Sequence, residues 1–299
     1  MIVLPYHGID PVIVEIGPLF GVGPIVIRWY AVSYIVGIVL GWLYILRLLR
    51  TPAYWIGPAH RGVPPATAED IGDLVVWVTL GIILGGRLGF VLFYGLVYSP
   101  DYYLENPLRI FMAWEGGMAF HGGLIGATLA VVIFCMRRGI HVVKLGDLMF
   151  AAAPIGIFLV RIANFINGEL WGKVSNVPWA MVFPDERAGP DPRHPSQLYE
   201  AVLEGLLLFV VIRLLITRAG ALDRPGVICG VFLIGYSAAR IFSEVFRDSD
   251  QYIFYPNSGF TMGMLLSLPM AFIGIGFLVY AYSGRNGVPG GWRVALGRG

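Results

Sequence analysis

LMFAAAPIGIFLVRIANFINGELWG, residues 148–172, joins about twenty apolar residues to a block carrying Arg161, Asn164, Asn167 and Glu169. The apolar part has the length of a membrane-crossing helix, and membrane helices carry few ionisable groups. An arginine, two asparagines and a glutamate at membrane depth cost several kcal/mol unless they face partners or a wet cavity. This one segment therefore predicts both a membrane span, 148–167, and a functional pocket near one membrane surface.

Composition widens that reading to the whole chain. Of 299 residues, 57% are hydrophobic and only 13% charged, whereas soluble domains run nearer 25% charged. A net charge of +2 without a basic run gives no stripe for nucleic acid, so no nucleic-acid partner is expected. Apolar windows predict an all-α polytopic membrane protein of about seven spans at 25–47, 74–98, 119–136, 148–167, 199–217, 227–246 and 259–282, in a single membrane domain covering 1–299. Pro154 interrupts the fourth span, and Glu200 and Glu204 weaken the fifth. An outer loop is expected at about 168–198.

The loops alternate in charge. Twelve basic residues fall on one side: Arg47, Arg50, Arg61, Arg137, Arg138, Lys144, Arg213, Arg218, Arg224, Arg285, Arg293 and Arg298. Five fall on the other: Arg109, Lys173, Arg187, Arg193 and Arg247. The positive-inside rule then puts the N-terminus outside and the C-terminus in the cytoplasm. The opening MIVLPYHGIDPVIVEIGP has no basic n-region and does not read as a cleavable signal peptide. Cys135 and Cys229 stand apart without ligand spacing and read as small core residues.

Four arginines remain inside the spans: Arg28, Arg87, Arg161 and Arg240. Arg28, beside Trp29 and Tyr30, reads equally as an interfacial anchor, which would leave Tyr30 pointing into a headgroup pocket. Arg87 follows a ridge of Gly81, Gly85 and Gly89, a spacing that admits close helix packing. Bonding to backbone carbonyls and contact with substrate are both open to it. In the sixth span Tyr236, Arg240, Glu244 and Arg247 recur at intervals of four, four and three, which lays one polar stripe along an apolar rod. An Arg240–Glu244 pair within the helix is the plain alternative to a cavity wall. Arg161, Asn164 and Gly168 share a face of the fourth span, so two arginine-bearing walls can converge on an anion. Guanidinium groups bind phosphate bidentately and keep their charge, which suits a lipid phosphate. His121 opens the third span above Gly122, Gly123 and Gly126. Alone it reads as a hydrogen-bonded structural residue; beside two arginine walls it reads as a proton acceptor.

HGGLIG at 121–126, RIANFINGELWG at 161–172, RHPSQLYEAVLEG at 193–205 and GYSAARIFSEVFR at 235–247 together resemble the prolipoprotein diacylglyceryl transferase family over nearly the whole chain. The resemblance implies a seven-span enzyme of the bacterial plasma (inner) membrane with its active site toward the periplasm. It would move the diacylglyceryl group of phosphatidylglycerol onto the lipobox cysteine of a preprolipoprotein signal peptide, forming a thioether and releasing glycerol 1-phosphate. By position, His121, Arg161, Arg240 and Tyr236 become the catalytic candidates. Arg161, Asn164, Tyr30, Glu169, Gly172, Arg240, Glu244 and Arg87 become the candidates for binding phosphatidylglycerol, with Glu169 and Glu244 orienting the arginines. Ala163 stands where the signature usually has glycine, and Lys173 where it usually has arginine. No metal or other cofactor is expected, since neither a His-Glu-x-x-His helix nor a paired-Cys motif occurs. A membrane transporter for an anionic solute is the alternative, because intramembrane arginines also serve transport. Clustering of the polar residues toward one face, and the lack of an internal repeat, count against it.

Overall fold

A computed structural model describes residues 6, 8–17, 23–112, 114, 116–248 and 260–283. Arg285, Arg293 and Arg298 of the charge pattern lie outside the described residues, as do residues 1–5, 7 and 18 of the N-terminal stretch. Contacts divide the chain into two compact units, Pro64–Leu145 and the pair of segments Met1–Val63 and Gly146–Gly299.

The structure is mostly helical, and among the described residues six helices are long and apolar enough to cross a membrane. They are α1 (Trp29–Leu49), α2 (Ala68–Phe90), α3 (Phe120–Arg138), α4 (Val142–Ile166), α6 (Val227–Glu244) and α7 (Met262–Tyr282). A π-helical turn, Val91–Gly95, carries α2 on to Tyr98. The fifth expected span falls on a helical run, α5, over residues 196–219. It consists of Ser196–Glu200, a π-helical stretch Ala201–Leu207 and Leu208–Ala219, and it holds Glu200 and Glu204.

The helix ends follow local chemistry. Thr67 and Asp70 form a capping box at the start of α2: the Asp70 amide donates to Thr67 Oγ1 at 3.1 Å, and the Thr67 amide donates to Asp70 Oδ2 at 2.9 Å. Gly139, with φ of 66°, ends α3 in the left-handed region that glycine tolerates best. On α4, Asp147 is buried and accepts from the amides of Gly226 at 2.7 Å and Cys229 at 2.8 Å, so its carboxylate serves the N-terminus of α6. Cys135 and Cys229 are buried thiols that form no disulfide among the described residues.

The purely α-helical expectation is corrected at the N-terminal end. Val12–Ile16 (β1) and Ile25–Arg28 (β2) pair antiparallel, with Ile16 opposite Ile25. Residues 25–28, expected to open the first span, are strand, and Arg28 is the residue that precedes α1. A four-residue apolar run does not distinguish strand from helix, and its β-branched residues favour the strand.

Within the smaller unit, the glycine ridge packs α2 on α3. A Cβ placed at Gly81 would meet the Gly126 carbonyl oxygen at 2.6 Å, and one at Gly89 would meet Gly122 Cα at 2.7 Å. Such backbone contact is how small residues hold helices together without a hydrophobic drive between them. Gly126→Val is therefore expected to lower the unfolding midpoint in detergent by a cost of at least about 2 kcal/mol. Gly72→Ala, on α2 with nothing within 4 Å of the added carbon, is expected to hold the wild-type midpoint or exceed it.

Candidate active site

The end of α4 starts the larger unit's site. After Ile166 the chain turns through Gly168, whose φ is +68°, and the Glu169 amide returns to the Asn164 carbonyl at 3.2 Å. That turn sets Asn164 Nδ2 2.7 Å from Glu169 Oε1. The Tyr6 hydroxyl shares its proton between the carbonyls of Phe165, which also accepts from the Gly168 amide, and, at 3.0 Å, of Ile166 at the helix end. Burial pushes this phenol up to about 12, which keeps its donor proton in place.

One face of α4 and the stripe of α6 meet on α5. Arg161 Nη1 lies 2.9 Å from Glu200 Oε2, while its Nε and Nη2 reach Glu204 Oε2 at 3.1 and 2.9 Å. Arg240 Nη1 pairs with Glu200 Oε1, and its Nη2 lies 2.8 Å from Glu244 Oε2. Arg247 Nη1 is 3.4 Å from the same Glu200 oxygen. Glu200 and Glu204 are 0% exposed. Three guanidinium groups and three carboxylates thus form one neutral cluster. Buried ions of both signs persist only when paired in this way.

Tyr236 lies one turn before Arg240 and within electrostatic reach of Glu204, Arg161, Arg240 and Glu200. Tyr30 on α1 bonds to the Tyr34 hydroxyl at 3.0 Å and is within electrostatic reach of Glu169 and Arg161. A cavity of about 580 Å³ opens beside the cluster, with Arg240, Glu244, Arg247 and Glu169 in its wall. Arg187, Asp248, Trp171, Leu170, Met262, Gly263 and Leu266 complete the lining. Its mixture of cations, acids and apolar side chains suits a guest with a charged head and an apolar body.

The loop that follows α4 is tied to this cluster through backbone. Gly172 pairs with Arg247 in an isolated bridge, and its amide donates to the His194 carbonyl at 2.8 Å. A Cβ on Gly172 would meet His194 Cβ and the Phe246 carbonyl oxygen at 2.6 Å each. Arg193, counted above only as a loop charge, bonds to the Ala188 carbonyl at 2.6 Å, the Gly172 carbonyl at 3.2 Å and Asp248 Oδ2 at 2.6 Å. Lys173 Nζ donates to the Val245 carbonyl at 2.8 Å.

Arg161, Asn164, Glu169, Gly172, Tyr30, Tyr236, Arg240 and Glu244 thus all belong to the larger unit. Arg87 and His121 belong to the smaller one. Arg87 is 5% exposed and bonds to the carbonyls of Ile110 at 2.9 Å, Gly116 at 2.6 Å, Gly117 at 3.4 Å and Arg109. It therefore fastens the loop between α2 and α3. His121 is exposed in the first turn of α3, 5.5 Å from the Phe120 ring, and makes no hydrogen bond to another described residue. Glu200 and Glu204 are the residues the sequence reading passed over, although two acids four residues apart inside an apolar span were a signal of cationic partners.

The sequence profile described as prolipoprotein diacylglyceryl transferase matches residues 18–280. The chain belongs to the prolipoprotein diacylglyceryl transferase family. A phosphatidylglycerol–prolipoprotein diacylglyceryl transferase of Rhodopseudomonas palustris is 52% identical over 282 residues, 94% of this chain and 92% of its own length. Proteins of the same name from Nitrobacter winogradskyi and Methylocella silvestris are 50% and 49% identical, over 94% and 96% of this chain and 91% and 98% of theirs. Within this family member the loop that carries Gly172 offers two tests. Gly172→Ala is expected to cut transfer in a membrane assay, since the added methyl has no room between His194 and Phe246. Burial, reinforced by Lys173, lowers the pKa of His194 from its ordinary 6.5. The unfolded chain therefore takes up this proton first, and the histidine's contribution to stability is complete above about pH 6.5 and is lost as the pH falls below it. Thermal midpoints measured between pH 7.5 and 5 should show that loss, and His194→Gln should reduce it.

Proposed function

We propose that this protein transfers the diacylglyceryl group of phosphatidylglycerol to the lipobox cysteine of a preprolipoprotein. Sulfur bonds to the glycerol carbon, the ester C–O bond breaks, and its electron pair leaves with glycerol 1-phosphate. Within the family, the observation that carries the chemistry is the meeting of Arg161 and Arg240 on Glu200 beside a cavity. A thiolate approaching an anionic phosphodiester is repelled, and negative charge gathers on the departing phosphate. Fixed guanidinium groups in a low-dielectric site oppose both effects. Hydrogen bonds to Glu204 take two of the five N–H groups of Arg161, and Nη1 is paired with Glu200, leaving donors for a phosphate oxygen. Tyr236, Tyr30 and Asn164 add hydrogen-bonding groups for the headgroup, Glu169, Gly172 and Glu244 hold or line its surroundings, and Arg87 supports the enzyme by bracing the loop of the smaller unit.

A thiol of ordinary pKa near 8.5 is only a few per cent thiolate at neutral pH, so a base is needed. His121 is our assignment for that role, supported by its place in HGGLIG and by an imidazole left unbonded within the described residues. The proton it takes from sulfur passes on to the leaving phosphate or to water. No feature supports the transport alternative.

The same reading places the enzyme in the bacterial plasma membrane as one membrane domain with α1 to α7 as its seven spans. The N-terminus faces out, the C-terminus is cytoplasmic and the site opens toward the periplasm, as the loop charges and the acid-bearing run at 196–219 support.

Incubating the purified protein with phosphatidylglycerol and a lipobox peptide should add one diacylglyceryl mass to the peptide, and none when its cysteine is replaced by alanine. Arg161→Ala and Arg240→Ala are each expected to lower turnover by at least about 10²-fold while the protein still inserts. Unchanged turnover in both removes the phosphate clamp. His121→Gln should slow transfer about 10²-fold or more and change the shape of its pH profile. A wild-type pH profile in that variant assigns the base elsewhere.

A further inference from the structure

We infer that Glu200 is a positioning residue for the transfer, one that holds three guanidinium groups at a fixed spacing and at the same time weakens ground-state binding of the anionic lipid. The inference rests on the function proposed above. Each Glu200 oxygen has its own arginines: Oε2 forms an ion pair with Arg161 Nη1 at 2.9 Å, and Oε1 accepts from Arg240 and Arg247. The carboxylate is completely buried, so its charge acts at short range with little screening.

Glu204 and Glu244 do not share this geometry. Glu204 holds Arg161 closely but lies 4.0 Å from Arg240, and Glu244 pairs with Arg240 along α6. Among the described carboxylates, Glu200 alone contacts all three arginines, and two of those arginines, Arg240 and Arg247, stand in the cavity wall.

Two opposite effects follow. The negative charge permits three cations to sit together, and it also repels an incoming phosphate. Glu200→Gln removes the repulsion. It also sets an amide NH2 against guanidinium N–H groups on one side or the other, because both carboxylate oxygens are acceptors. The lipid should then bind more readily while the cations lose their alignment toward the leaving group. Arg161 acts through Glu200 and Glu204 as well as on the guest.

Steady-state transfer with phosphatidylglycerol in mixed micelles separates these effects. For Glu200→Gln, KM for the lipid should fall at least about threefold and kcat should fall about 10²-fold. Glu200→Asp, which keeps the charge but shortens the arm, should leave KM within about twofold and lower kcat. A lower kcat with unchanged KM in Glu200→Gln marks a role in folding alone and overturns the inference. A raised KM, or a KM that falls equally in Glu200→Asp, overturns it too. Should Glu200→Gln fail to insert, Arg247→Gln tests the same balance from the other side. It should raise KM at least about threefold, and an unchanged KM refutes the charge argument. Absence of transfer by the wild-type protein refutes the proposed function instead.

Discussion

Mutual neutralisation of Arg161, Arg240 and Arg247 by Glu200, Glu204 and Glu244 is the constraint around which the larger unit is organised. A single unpaired charge in an apolar interior costs several kcal/mol, and removing one partner of a buried pair typically costs about 3–5 kcal/mol. Helices α4, α5 and α6 are therefore fixed to each other by electrostatics as well as by shape. The same cluster leaves the guanidinium groups of Arg240 and Arg247 in the wall of a cavity, the arrangement on which the proposed phosphate clamp rests.

The loop that follows α4 serves this arrangement through backbone geometry. Gly168 turns the chain at the end of α4, Gly172 lets the loop lie against Arg247 and His194, and Arg193 joins that contact to Asp248. In the smaller unit Arg87 plays a comparable part. Its guanidinium gathers carbonyls from two stretches between α2 and α3, groups that would otherwise lack donors in an apolar setting.

Much of the helical layout was legible because apolar windows of membrane length are a strong signal: 119–136 was expected where α3 occupies Phe120–Arg138, and 227–246 where α6 occupies Val227–Glu244. Arg240 and Glu244 were legible from their four-residue spacing. Other features were hidden for physical reasons. Ile25–Arg28 forms a strand, but its apolar residues were indistinguishable from the first turn of α1. Glu200 and Glu204 lowered the hydropathy of their window, so they counted against a span when they were in fact the counter-ions of arginines 40 residues away in sequence. Pairing of that kind is a property of the folded chain and leaves no periodicity within either segment. The division into two units left no mark on composition either.

The π-helical stretch at Ala201–Leu207 lies directly after Glu200 and contains Glu204. A wider turn changes the angular phase of everything that follows it, so adding or deleting one residue there would rotate one end of α5 against the other by about a quarter turn or more. An insertion between Glu200 and Glu204 would swing one carboxylate away from Arg161, so chain register, and not only residue identity, is a condition of the ion-pair cluster.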